Sequence, residues 1–138
     1  DNDRSHIFAH LISNLSKKIT SKKMLILRGN GREKRDFLFI DDLLNAVEII
    51  TKKIKNNFEI INICYGKSFS IKYVSHLIKD LAKSNKDIYF KQKNNSIQID
   101  ILVSNKKLKK NFKWNIENNL KLGILKSINW YRNKKNFN

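Results

Sequence analysis

Few residue groupings in this sequence have a spacing that suggests chemistry. His6 and His10 stand four apart, which places both on one face of a helix, as a pair of metal ligands would stand. No third ligand follows at a telling spacing, and His76 lies far along the chain, so no metal site is read here. Gly29-Asn30-Gly31 begins like a dinucleotide fingerprint, but Lys34 breaks its third glycine position. A strand pattern follows it, not a helix whose N-terminus would face a phosphate, so the segment reads as a hairpin turn. Cys64 sits in an apolar run and reads as a small buried hydrophobe rather than a nucleophile. The sequence shows no Ser/His/Asp grouping, Walker loop or paired catalytic carboxylates.

The elements that would position these residues follow from periodicity. Asp3-Arg4-Ser5 is a candidate helix cap, and Ile7, Phe8, Leu11, Ile12, Leu15 and Ile19 recur at helical spacing after it. Met24–Leu27 and Asp36–Ile40 read as short strands. Asp41-Asp42 opens a helix, because carboxylates favour the positive end of the helix dipole. Its predicted apolar stripe is Leu43, Leu44, Val47, Ile50 and Ile54. Ile60–Cys64 is nearly all apolar, the mark of a strand buried on both faces. Ser70 caps a helix with the stripe Ile71, Val74, Leu77, Ile78 and Leu81. Ile88–Phe90 and Ile99–Val103 are further strand candidates, and Lys106–Lys110 is a short helix. A last helix from about Glu117 carries Leu120, Ile124, Ile128 and Tyr131. Strands alternating with helices indicate an α/β class.

Composition bounds the rest. A length of 138 residues suits one domain and can bury a core without staples. The single cysteine allows no internal disulfide, no signal peptide opens the chain, and no apolar run reaches the ~18 residues of a membrane helix. Together these predict a cytoplasmic protein. The first residue is Asp1, which predicts processing or a longer parent chain. The formal charge is +17, from 29 basic and 12 acidic residues. Only 5 of the basic residues are arginine, the side chain best suited to phosphates and base edges. The lysine pairs are scattered, and abundant Asn and Ile with no proline point to A/T-rich codon bias. A solvated surface is therefore the reading of the charge, with nucleic-acid binding as the alternative.

The order of several blocks carries a resemblance. Gly29-Asn30-Gly31 followed by Arg35-Asp36-Phe37-Leu38-Phe39-Ile40-Asp41-Asp42-Leu43 resembles the "G-x-G…R-D-F…V-D-D" signature of extended short-chain dehydrogenases that act on nucleotide sugars. Ile61-Asn62-Ile63, Tyr65-Gly66 and Ser70-Ile71 are similar to the family's next strand and helix start. Lys107-Leu108-Lys109 to Trp114, and Leu122-Gly123-Ile124 to Ile128-Asn129-Trp130-Tyr131, are similar to its closing elements. Asp1-Asn2 and Ser5-His6-Ile7 resemble a stretch found in GDP-L-fucose synthases.

The resemblance implies the C-terminal, substrate-binding portion of an NAD-dependent epimerase/dehydratase of Rossmann type, over residues 1–138. It implies that NAD or NADP binds mainly on an N-terminal Rossmann half, supplied in cis or in trans. That half would carry the Tyr-x-x-x-Lys pair, so this stretch alone would be inactive. Segments 41–64 and 117–134 would pack on that half, and the complete enzyme would be a homodimer. The expected ligand is a nucleotide-diphosphate sugar, with a non-catalytic binding module as the alternative function. Arg35 matches the arginine that contacts the diphosphate in relatives, and a guanidinium fork suits that group. His6 matches a general acid of the fucose-synthase branch. The chain departs from the pattern at Lys113 and Ile116, where glycine and proline are usual, at Asn14 for an arginine, and at Lys93–Ser96. It also has Arg28 where the branch has an aromatic before the glycines.

Overall fold

The computed structural model of the chain describes residues 6–17, 24–55, 58–91 and 100–134. The expected Asp3-Arg4-Ser5 cap, Ile19, Ile99 and the Lys93–Ser96 stretch lie outside them. The described elements run α1 (Ile7–Leu15), β1 (Met24–Arg28), β2 (Lys34–Asp36), α2 (Ile40–Lys53), β3 (Ser68–Ser70), α3 (Ile71–Ala82), β4 (Asp87–Lys91), α4 (Lys106–Phe112) and α5 (Leu120–Lys134). This is the α/β class that the alternation of elements predicts, arranged in two compact units.

The first unit draws on residues 1–33, 70–98 and 124–138. β1 and β4 form a parallel pair in the register Leu25↔Ile88, Ile26↔Tyr89 and Arg28↔Lys91. The expected hairpin is not made: β1 pairs with β4, and β2 pairs with β3. The glycine turn itself is present. Gly29 and Gly31 have φ of +92° and +71°, where a side chain is strained. A Cβ on Gly31 would lie 2.5 Å from the Phe90 ring, so the turn is folded tightly onto β4. Ser70 caps α3 as expected, its Oγ accepting the Tyr73 N–H at 3.1 Å. α3 buries Ile71, Val74 and Ile78, and α1 buries Leu11, Ile12 and Leu15. Arg132 closes this unit by donating to Ser16 O at 3.1 Å and Ala82 O at 2.7 Å. Those carbonyls stand at the C-terminal ends of α1 and α3, where a cation is favoured.

The second unit draws on residues 34–69 and 99–123. Its core is Ala46, Leu108, Phe112 and Trp114, flanked by Leu38, Ile49, Ile50, Ile61 and Ile63. Several expectations change here. The strand at Asp36–Ile40 is shorter and earlier, at Lys34–Asp36, because α2 already starts at Ile40. The stripe of α2 is out of phase. Ala46, Ile49 and Ile50 face the core while Leu44, Val47 and Ile54 are exposed, Leu44 at 60%. A helix with apolar residues on two faces gives periodicity no means to choose between them. Segment 60–64 forms no strand, because it has no ladder partner among the described residues. It keeps a strand's period of two: Ile61 and Ile63 pack on the core, while Ile60 is 70% exposed. Residues 100–103 likewise form no strand, although Ile101 N–H donates to Lys34 O at 3.1 Å.

α5 starts at Leu120 rather than near Glu117. The cause is Asp42, whose buried carboxylate accepts the N–H groups of Glu117 at 2.9 Å and Asn118 at 3.2 Å. Removing it strands two donors. Asp42→Ala should lower stability by about 2–4 kcal/mol, while Asp41→Ala, at an exposed position, should cost far less. Chemical denaturation of both variants checks this difference.

Candidate functional site

The short strand β2 places Lys34, Arg35 and Asp36 in consecutive positions, and each side chain has a different task. Lys34 is tied to Asp100, whose Oδ1 accepts the Lys34 N–H at 3.0 Å and whose Oδ2 lies 3.7 Å from its Nζ. Asp36 accepts two backbone N–H groups, from Tyr65 through Oδ1 and from Gly66 through Oδ2, both at 2.7 Å. Charge-assisted bonds of this length are among the strong ones. Arg35 between them is half-buried, and its Nη1 donates to Lys34 O at 3.0 Å. This bond folds the guanidinium back along its own strand and limits the rotamers it can take.

The turn that Asp36 grips is held from the other side too. Gly66 has φ +82°, and a Cβ there would lie 2.7 Å from the Asn105 amide. Asn105 is buried and donates from Nδ2 to Cys64 O at 3.0 Å and Tyr65 O at 2.9 Å. Glycine is needed at 66 for both its φ and this close approach. The Cys64 thiol donates to Val103 O at 3.3 Å. Burial pushes its pKa up, and the Asp36 carboxylate adds to that push. Cys64 is thus a protonated structural thiol, as its apolar setting predicts. Lys107 completes the frame, pairing with Glu59 at 3.0 Å and donating to Ile60 O at 2.7 Å.

His6 stands elsewhere. It is the exposed N-cap of α1, with no side-chain capping bond, and its carbonyl accepts the His10 N–H at 3.0 Å. His10 lies near Asn14, Nδ1 to Nδ2 3.5 Å. Among the described residues no three His, Cys, Asp or Glu side chains gather to hold a metal ion. His6 belongs to the first unit and Arg35 to the second. Sequence reasoning passed over Asp36, Asp42 and Asn105 as framework residues. The signal available for two of them was an acidic residue inside the R-D-F…D-D block, which propensity alone reads as strand and helix-dipole positions.

The β–α alternation defines an α/β protein, with Arg35 half-buried on β2 between two bonded neighbours. Comparison with known proteins makes this specific. Residues 2–64 match the NAD dependent epimerase/dehydratase family. A Methanocaldococcus jannaschii protein, provisionally named a UDP-glucose 4-epimerase, is 30% identical over 129 residues, which is 91% of this chain and 40% of that protein. The Thermotoga maritima UDP-glucose 4-epimerase, solved with UDP-glucose, superposes with a TM-score of 0.80 at 20% identity, over 98% of this chain and 42% of that one. The Bacillus anthracis dTDP-glucose 4,6-dehydratase, solved with NAD, gives 0.79 at 21% identity, over 96% and 40%. By these findings the chain is similar to the NAD dependent epimerase/dehydratase family, in sequence over residues 2–64 and in fold over nearly its whole length. It spans about two fifths of the length of the relatives it matches.

The Cys64 environment yields a pH prediction. Its raised folded pKa means that the stability the neutral thiol confers is present below the ordinary thiol pKa and is lost as pH rises through the folded value. Alkylation of Cys64 should therefore begin at higher pH than for a free thiol. Asp36→Asn should move the onset back down, because it removes one of the two upward causes. A profile unmoved by Asp36→Asn would mean that the carboxylate does not act on the thiol.

Proposed function

We propose that this chain forms the nucleotide-sugar side of an NAD(P)-dependent epimerase, dehydratase or reductase, with Arg35 on the diphosphate. The observation that carries this is the frame around Arg35. Lys34 and Asp36 on either side of it bond to Asp100 and to the turn at Tyr65 and Gly66, which fixes the strand from which the Arg35 fork, a shape suited to a pyrophosphate, projects. The family match and the relatives solved with UDP-glucose and with NAD support the ligand class. NAD or NADP would be held mainly by a Rossmann half, in the same chain or in a partner chain. Apolar side chains left in water at Leu44, Phe58, Ile60 and Trp130 support the docking of segments 41–64 and 117–134 on that half. His6, exposed at the start of α1, serves in this reading as the general acid.

Two measurements test the assignment. In the full-length protein, Arg35→Ala should weaken UDP-glucose binding in calorimetry by about 10- to 100-fold, the effect of losing a hydrogen bond to a charged group. Unchanged binding removes Arg35 from the site. His6→Gln should lower kcat with little change in KM; an unaltered kcat removes the general-acid role. Tight binding without turnover on either cofactor would favour a binding module that does no chemistry.

A further inference from the structure

The register of the parallel pair sets two cations side by side. Arg28 ends β1, Lys91 ends β4, and they are register partners. Both are exposed, on the same face as Ile26 and Tyr89. Adjacent strands lie only about 4.8 Å apart, and like charges directly across a ladder repel. Among the described residues neither Arg28 nor Lys91 has an ion-pair partner that would cancel this repulsion. The neighbourhood adds charge of the same sign. Arg32 in the following turn and Lys72 in the first turn of α3 are exposed, and Glu33 is the one acidic side chain in that turn.

The backbone beneath them is fixed. Gly29 N–H donates to Lys91 O at 3.0 Å, and Lys72 N–H donates to Gly31 O at 2.8 Å. The tight seating of Gly31 against Phe90 pins the same turn. The two cations therefore sit on a rigid base at the carboxyl ends of two parallel strands, where α/β sheets commonly receive ligands. Codon bias explains scattered lysines; it does not explain an arginine and a lysine in register with no ion-pair partner among the described residues.

We propose that the Arg28–Lys91 pair is an anion-binding point that takes a phosphate group. The phosphate oxygens would accept from the guanidinium and the ammonium together and turn their mutual repulsion into shared attraction. This point uses residues other than Arg35 and stands whether or not the reading of Arg35 is correct.

Thermal unfolding of the full chain with inorganic pyrophosphate tests it, against sodium chloride at matched ionic strength. Pyrophosphate should raise the Tm of wild type well above the chloride control. Arg28→Gln and Lys91→Gln should each raise the Tm without pyrophosphate, since repulsion is relieved, and weaken the pyrophosphate Kd about 3- to 30-fold. Arg35→Ala and Lys55→Gln should keep the Arg28–Lys91 response. Equal pyrophosphate stabilisation in wild type, Arg28→Gln and Lys91→Gln would overturn the proposal, as would a response that only Arg35→Ala abolishes. Vesicles of phosphatidylglycerol separate the sources of the phosphate. Charge-pair-dependent co-sedimentation would assign a lipid headgroup; none, with pyrophosphate binding intact, would assign a soluble phosphate.

Discussion

The second unit depends on one carboxylate. Asp36 receives the N–H groups of Tyr65 and Gly66 at 2.7 Å each, joining β2 to a turn some thirty positions later. Without it the N–H groups of Tyr65 and Gly66 would turn to water, at a net loss of at most about 1.5–3 kcal/mol for each hydrogen bond to a charged group. The same residue stands next to Arg35, so the bond that fixes the turn also fixes the backbone from which the arginine projects. It further helps to hold the Cys64 thiol in its neutral form. Structure, protonation and the direction of a candidate ligand-binding side chain thus share one cause.

Similar ties link other blocks of the sequence. Asp42 reaches Glu117 and Asn118, Asn105 reaches Cys64 and Tyr65, and Lys107 reaches Glu59 and Ile60. Each is a side chain bonded to groups 40 or more positions away, apart from the nearer Asp36 pair. The R-D-F…D-D block is therefore in large part a set of anchors, and Arg35 is the member that the anchors position rather than one of them. Each block thus needs another, distant in sequence, to satisfy its hydrogen bonds.

Much of the fold was legible because local rules decide it. The Ser70 cap, the glycine turn at 29–31, and the stripes of α3 and α5 follow from propensity and period alone. What was not legible depends on partners distant in sequence. β1 pairs with β4 across some sixty residues, and nothing in Gly29-Asn30-Gly31 distinguishes that outcome from a hairpin. The inward face of α2 is chosen by Leu108, Phe112 and Trp114, which no window around α2 contains. Segment 60–64 has the composition of a central strand and the exposure of half of one. Of the candidate site, the resemblance supplied Arg35 and His6 as residue types. The frame that orients Arg35 is made by contacts distant in sequence, and an aspartate accepting backbone N–H groups has no sequence signal of its own.

The central claim is that Asp36 holds Arg35 in position for a diphosphate. Calorimetric titration of UDP-glucose into the full-length Asp36→Asn protein, at a temperature where denaturation shows it folded, tests it most directly. Asn keeps the size of the side chain but can accept at only one oxygen, so one of the two bonds to Tyr65 and Gly66 is lost. The account predicts binding about tenfold weaker than wild type although Arg35 is intact. Wild-type affinity in that variant would contradict it and reduce Asp36 to a fold residue with no bearing on the site.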